Sequence, residues 1–215
     1  SLGEVLIVII GVLIAIAFNN YNNAINDDDK SYKYILNIKN DLIKDLNELE
    51  KSFNTTETQL LLLDRYFSDF KNLEVFSLAD LTDIHEISIQ YPYNNRIMTT
   101  YNSANQNSFS NASQNVQDIL VSISVYYDYC KVLDHSNVNS RSLYDMVNNY
   151  WITSKMDINS EDKKVLIEIL SSNNYKNLLY LKKNVIFFDQ GQLKNCIELN
   201  KYTFRNLDQF LINSN

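Results

Sequence analysis

Residues Leu2–Phe18 read LGEVLIVIIGVLIAIAF, an apolar run interrupted by a single charge, Glu4. As a helix this stretch rises about 25 Å at roughly 1.5 Å per residue, close to the ~30 Å hydrocarbon core of a bilayer. A helix apolar on every side needs lipid or deep burial, and no other stretch of the chain is comparably apolar. The sequence therefore predicts a single-pass membrane protein with its bulk on one side. A cleaved signal peptide is the alternative, because Ala15-Ile16-Ala17 has a small-x-small pattern and Asn19-Asn20 would open a polar mature region. The absence of a basic segment ahead of the apolar run favours a retained anchor.

The expected organisation is a transmembrane helix over 1–20, a polar collar over 21–30 and an extracytoplasmic helical domain over 31–215. Tyr21 stands where an aromatic residue would meet the headgroups. Asn19 to Asp29 contains no Lys or Arg and carries Asp27-Asp28-Asp29, so the positive-inside rule places the bulk of the chain outside the cytoplasm. The expected location is the inner membrane, with the large domain in the periplasm. Three Gly and one Pro are too few for a turn-rich β-fold. The fold class expected is thus all-α, an elongated helical bundle. A net charge of −7 argues against nucleic acid as a partner, since phosphates need a basic surface. The partners expected are the lipid bilayer and other membrane-protein subunits or further copies of the chain.

From Ser31 onwards an a/d stripe runs through Ile35, Leu42, Leu46, Leu49, Phe53, Thr56, Leu60, Leu63, Phe67 and Phe70. The spacing predicts one long helix, in a bundle or an intermolecular coiled coil. Leu61 and Leu62 widen the stripe and favour the bundle. Residues 72–95 break the pattern, and the alternation of Ile87, Ile89 and Tyr91 before Pro92 suggests an irregular connection or a short strand. Further helices are expected over 96–109, 112–133 and 142–156, then one opening after a Ser160 cap and running over Val165–Leu170. Residues 175–212 form one closing helix or two, with Asp189-Gln190-Gly191 as the point of a bend.

Glu4 is the sharpest chemical feature. A carboxylate within a span costs about 2.5–3.5 kcal/mol on insertion scales. On a helix it shares a face with Gly11 and Ala15, a small-xxx-small pair that lets a second helix approach closely. Helix association, a headgroup-level Glu and a proton-carrying carboxylate are the three readings of that face. Cys130 and Cys196 lack CxxC or metal-ligand spacing. They form either one disulfide between two helices or two unpaired core thiols. His85 and His135 are isolated, and Asp80, Asp83, His85 and Glu86 read as a solvated acidic loop rather than a metal site. With no nucleophile, phosphate-binding or metalloprotease motif, no catalytic residue, cofactor or metal is expected.

The opening stretch LGEVLIVIIGVLIAIAFNNYN resembles the signature LGEIxLVxIGILIALxINNWN of a family of single-pass membrane proteins of unknown function found widely in Bacteroidota. The matching positions are Leu2, Gly3, Glu4, Val8, Ile10, Gly11, Leu13, Ile14, Ala15, Asn19, Asn20 and Asn22, with Tyr21 in place of Trp. TYNSANQNS, from Thr100 to Ser108, is similar to a second family segment, TYEELxSSG, but has Ala104 for Leu and Ser108 for Gly. The resemblance implies a basic cytoplasmic tail and further apolar residues upstream, which would put Glu4 deeper in the bilayer. It implies no activity, cofactor or catalytic residue. Together these features lead to a non-enzymatic interaction or scaffold protein, with a ligand-sensing helical domain as the alternative.

Overall fold

The computed structural model describes residues 2–89, 96–103, 109, 112–133 and 162–213, with the side chains of residues 2–9, 11 and 24 outside that description. Its regular elements are helical: α1 (Leu2–Ser68), α2 (Leu78–Ile89), α3 (Thr99–Ser103), α4 (Gln114–Cys130), α5 (Lys163–Leu170) and α6 (Asn173–Asn213). A short 3-10 turn at Leu73–Val75 joins α1 towards α2. Among the described residues there is no strand, so the all-α class holds. The helix expected over 142–156, Ser160 and His135 lie outside the described residues.

Helix α1 runs without interruption through residues 21–30, the polar collar of the sequence. The stretch contains no Gly or Pro, and Ser31 Oγ donates to the Asp27 carbonyl at 2.6 Å within the helix. The buried seam of α1 is Ser31, Ile35, Ile38, Leu42, Asp45, Leu49, Thr56, Leu63 and Tyr66. It corrects the stripe read from apolar residues alone. Leu46, Phe53, Leu60, Phe67 and Phe70 are only half-buried, beside the seam.

The irregular connection or short strand expected within residues 72–95 is instead, over Leu78–Ile89, helix α2. Two local facts explain it. Ser77 Oγ accepts from the Asp80 N–H at 3.0 Å while the Asp80 carboxylate accepts from the Ser77 N–H at 3.3 Å, a reciprocal capping arrangement. Leu81, Ile84 and Ile87 then recur every three residues and are all buried, so helical packing overrides the brief alternation. Helix α5 opens on Asp162, whose side chain accepts from the Lys164 N–H at 2.8 Å. Ser172 Oγ accepts from the Tyr175 N–H at 3.2 Å and opens α6 in the same way.

The chain forms two compact units. The first comprises Ser1–Asp45, Ile97–Tyr127 and Leu199–Asn215, and the second comprises Leu46–Arg96 and Asp128–Glu198. Ile35, Ile38, Leu42, Val116, Ile123, Tyr126, Tyr127, Leu207 and Leu211 are the buried apolar residues of the first. The core of the second draws Leu63 and Tyr66 from α1, Leu81, Ile84 and Ile87 from α2, Leu166, Ile169 and Leu170 from α5, and Tyr175, Leu179 and Ile186 from α6. Leu73 and Phe76, between α1 and α2, complete that core. Tyr66 OH donates to the Leu170 carbonyl at 2.6 Å. Burial pushes the Tyr66 phenol above its usual range.

Of the two forms expected for residues 175–212, α6 is the single helix, unbroken at Gly191. Its buried seam is Tyr175, Leu179, Lys182, Ile186, Asp189, Leu193, Cys196, Asn200, Thr203, Leu207 and Leu211. A Cβ built at Gly191 meets nothing within 4 Å. Gly191→Ala is therefore expected to stabilise the fold by about 0.5–1 kcal/mol, since helix-interior glycine loses more backbone entropy than alanine. A rise in the urea midpoint with an unchanged slope checks this.

Candidate functional site

The apolar run occupies the first turns of α1. From Ile10 onwards its side chains are exposed: Ile10 50%, Val12 52%, Leu13 60%, Ile14 64%, Ile16 51% and Phe18 65%. At 100° per residue these positions point to every side of the helix, so among the described residues nothing covers any face of it. Ala15 is exposed as well; the side chains of Glu4 and Gly11 lie outside the described residues, as do those of 2–9 generally. Among the described residues, no helix is long and apolar enough to cross a membrane. About half of the Leu2–Phe18 run falls outside that description.

Where α1 becomes covered, polar groups tie it down. Asp28 Oδ1 accepts from the Ser113 N–H at 2.8 Å, just ahead of α4. Asp41 Oδ2 accepts from the Thr100 N–H at 3.2 Å. The fully buried Asp45 accepts from the Ile97 N–H at 3.0 Å and from Tyr126 OH at 2.5 Å. Tyr126 OH accepts in turn from Asn200 Nδ2 at 3.0 Å, and that amide also donates to the Leu42 carbonyl at 3.1 Å. Aromatic rings flank this carboxylate chain. Tyr101 stacks on Tyr127 at 4.3 Å, and Tyr34 lies 5.2 Å from Phe109. The Tyr34 phenol is pushed above its usual range by burial first, then by Tyr101 and Asp41.

Sequence reading passed over Asp41, Asp45, Tyr126 and Asn200. Asp45 and Asn200 sit on apolar seams at core positions, where a polar residue is a signal in its own right. The partners of the Asp45 carboxylate and the Asn200 amide N–H are far away in sequence, so only the fold shows those bonds.

The second unit holds further buried polar side chains. His85 Nδ1 lies 3.1 Å from Tyr175 OH, Tyr175 OH contacts Ser88 Oγ, and Ser88 Oγ donates to the His85 carbonyl at 2.6 Å. One proton assignment satisfies all three contacts: His85 Nδ1–H donates to Tyr175, Tyr175 to Ser88, and Ser88 to the backbone. Every donor is consumed inside the core, which is the arrangement of a structural brace. The acidic-loop residues of the sequence reading do not converge. Asp80 caps α2 and pairs with Arg65 at 3.2 Å, Asp83 and Glu86 are exposed, and His85 is buried. Among the described residues, no group of His, Cys, Asp and Glu is arranged to hold a metal ion.

Lys182 is 4% exposed, and its ammonium pKa is lowered from 10.5 to about 8 by desolvation, which outweighs the opposing pull of Asp189. The folded state thus binds fewer protons than the unfolded chain between pH 8 and 10.5, and stability should rise with pH through that window. Urea midpoints should climb from pH 8 towards about 10 in the native protein. In Lys182→Met that climb should flatten.

Cys130 at the end of α4 and Cys196 in α6 are joined as a disulfide, with Cα atoms 5.8 Å apart and both residues fully buried. No family model, no curated protein and no solved structure matches this chain.

Proposed function

We propose that this chain is a non-enzymatic, membrane-anchored interaction protein, an oligomer or an accessory subunit of a larger envelope complex. Residues 2–18 serve as its anchor, and the helical units lie on the periplasmic side of the inner membrane. The observation that carries this reading is the exposure of Ile10–Phe18 on every side of α1. Water is a poor solvent for such a helix, whereas a bilayer accepts it at no polar penalty because all its backbone bonds are internal. The acidic flank at Asp27–Asp29 supports the periplasmic orientation. The Cys130–Cys196 disulfide supports an oxidising compartment. The resemblance to the Bacteroidota family signature agrees with both.

Extraction of membranes at alkaline pH tests the anchor. The native chain should stay in the pellet, whereas Ile10→Lys/Ile14→Lys should move into the supernatant. Two lysines raise the insertion free energy by roughly 5–7 kcal/mol on the biological scale. A native chain found wholly in the supernatant sinks the reading.

The assembly face is tested through Gly11 and Glu4. Gly11→Leu should break assembly by blocking close helix approach, while Glu4→Gln should preserve it because an amide still bridges helices. Size-exclusion chromatography in mild detergent reads both.

One observation favours a second reading, a ligand-sensing domain. Asp41 and Asp45 are buried beside Tyr34, Tyr101, Tyr126 and Tyr127, a carboxylate-and-ring set suited to a small organic cation. Calorimetry with simple amines separates the readings, since saturable heat lost in Asp41→Asn would favour the sensor.

A further inference from the structure

Within the second unit, one face of α6 carries Tyr180, Leu181, Phe187 and Phe188 at 57%, 45%, 69% and 53% exposure. Their spacing of one, six and one residues places all four within one broad stripe of the helix surface. Two adjacent phenylalanines left open to this extent are unusual, because burying such large apolar rings is strongly favourable. Gly191 lies on the same stripe, one turn beyond Phe187, with no protein atom near its Cβ position. A residue that weakens the helix without easing any internal contact leaves a flat place where an outside backbone can come close.

Charge identifies the kind of partner. Residues 173–194 contain four Lys and a single carboxylate, Asp189, in a chain of net charge −7. Asp189 and Lys182 are buried, so the outer surface of this stretch is basic. Lys183 is already paired with Asp64 across from α1. Lys176, held 4.1 Å over the Phe70 ring, and the exposed Lys194 therefore bracket the apolar stripe at its two ends. A second copy laid over the stripe sets lysine against lysine in either the parallel or the antiparallel sense, which is repulsive.

We propose that the Tyr180–Lys194 face of α6 is a docking site for an amphipathic helix of another protein, one whose apolar stripe is edged by Asp and Glu. The proposal rests on the interaction-protein reading and names the surface that reading requires. Docking is helix against helix, with Phe187 and Phe188 as aromatic anchors and Gly191 as the point of closest approach.

The test uses the full chain in lipid nanodiscs and two synthetic helical peptides with the same Leu stripe, one edged with Glu and one with Lys, with empty nanodiscs as the blank. Fluorescence anisotropy should show the Glu-edged peptide binding at least about tenfold more tightly. Phe187→Ser/Phe188→Ser should weaken it at least about tenfold with unchanged helicity and melting temperature, because both rings are exposed. Lys194→Glu should narrow or reverse the preference between the peptides. Equal affinity for both peptides, or indifference to the double Ser variant, overturns the proposal. So does a dimer in sedimentation that the double Ser variant dissolves, which would assign the face to a second copy. Membrane extraction is independent of all these outcomes, so a failure of the docking site remains distinct from a failure of the anchor.

Discussion

Replacing Cys130 and Cys196 together with alanine is expected to destabilise the fold by about 4 kcal/mol, the loop-closure entropy of a cross-link spanning 66 residues. The effect arises in the unfolded chain, which regains the conformations that the cross-link denied it. For a protein of this size, that corresponds to a fall in melting temperature of roughly 10 °C. Thermal melts with and without dithiothreitol check it. The native protein should lose stability on reduction, and the double variant should be indifferent to the reductant. A native melting curve that reduction leaves unmoved would show that the cross-link adds nothing to the fold.

The second large effect is expected at Asp45. Asp45→Ala leaves the buried Tyr126 OH and the N–H of the half-buried Ile97 without the carboxylate they share. Stranding one buried and one half-buried donor costs about 3 kcal/mol. Asp45→Asn keeps one acceptor oxygen and should lose about half as much. A double-mutant cycle with Tyr126→Phe isolates the pair, and a coupling of at least about 1 kcal/mol is expected. The helical content should survive in all three variants, because α1 on either side of Asp45 is held by Leu42 and Leu49. Denaturant titrations followed by circular dichroism provide the measurement. A loss below about 0.5 kcal/mol for Asp45→Ala would mean that water replaces the carboxylate, and the network would then have no hub.

What the sequence showed most clearly was periodicity. The long helix of residues 31–68 and the absence of β-structure among the described residues follow from heptad spacing and the scarcity of Gly and Pro, and the helix at 163–170 was legible too, although it opens on Asp162 rather than on Ser160. The register of the long seam was harder to read. Choosing apolar residues selects Leu46 and Phe67, whereas the fold buries their neighbours Asp45 and Tyr66. Each of those two carries a polar group satisfied by a residue more than 50 positions away, Ile97 for Asp45 and Leu170 for Tyr66. No local pattern reports such a bond.

Helix α2 is the opposite case. Its Ser77–Asp80 cap is a local signal that the alternation of Ile87 and Ile89 obscured. The pairing of Cys130 with Cys196 was open in the sequence because two thiols on apolar faces look alike whether bonded or free. The Glu4, Gly11 and Ala15 face differs again: of the three, only Ala15 has a described side chain.

The inner seam of α6 has a consequence for how such a helix tolerates change. Lys182, Asp189, Cys196 and Thr203 recur at intervals of seven, and the seam residues between them are Ile186, Leu193 and Asn200. Aliphatic heptads are interchangeable: a helix built from them alone slides by one repeat and finds an equivalent set of holes. Here each repeat carries a different label, an amine, a carboxyl group, a disulfide sulfur and a hydroxyl. A slip of one repeat would put an ammonium where a carboxylate belongs and carry Cys196 about 10 Å from Cys130, at 1.5 Å per residue. A seven-residue insertion in α6 would keep every apolar side chain on its face and still misaddress the helix. The non-apolar residues of the seam thus act as an address code, giving a uniform scaffold a single permitted alignment.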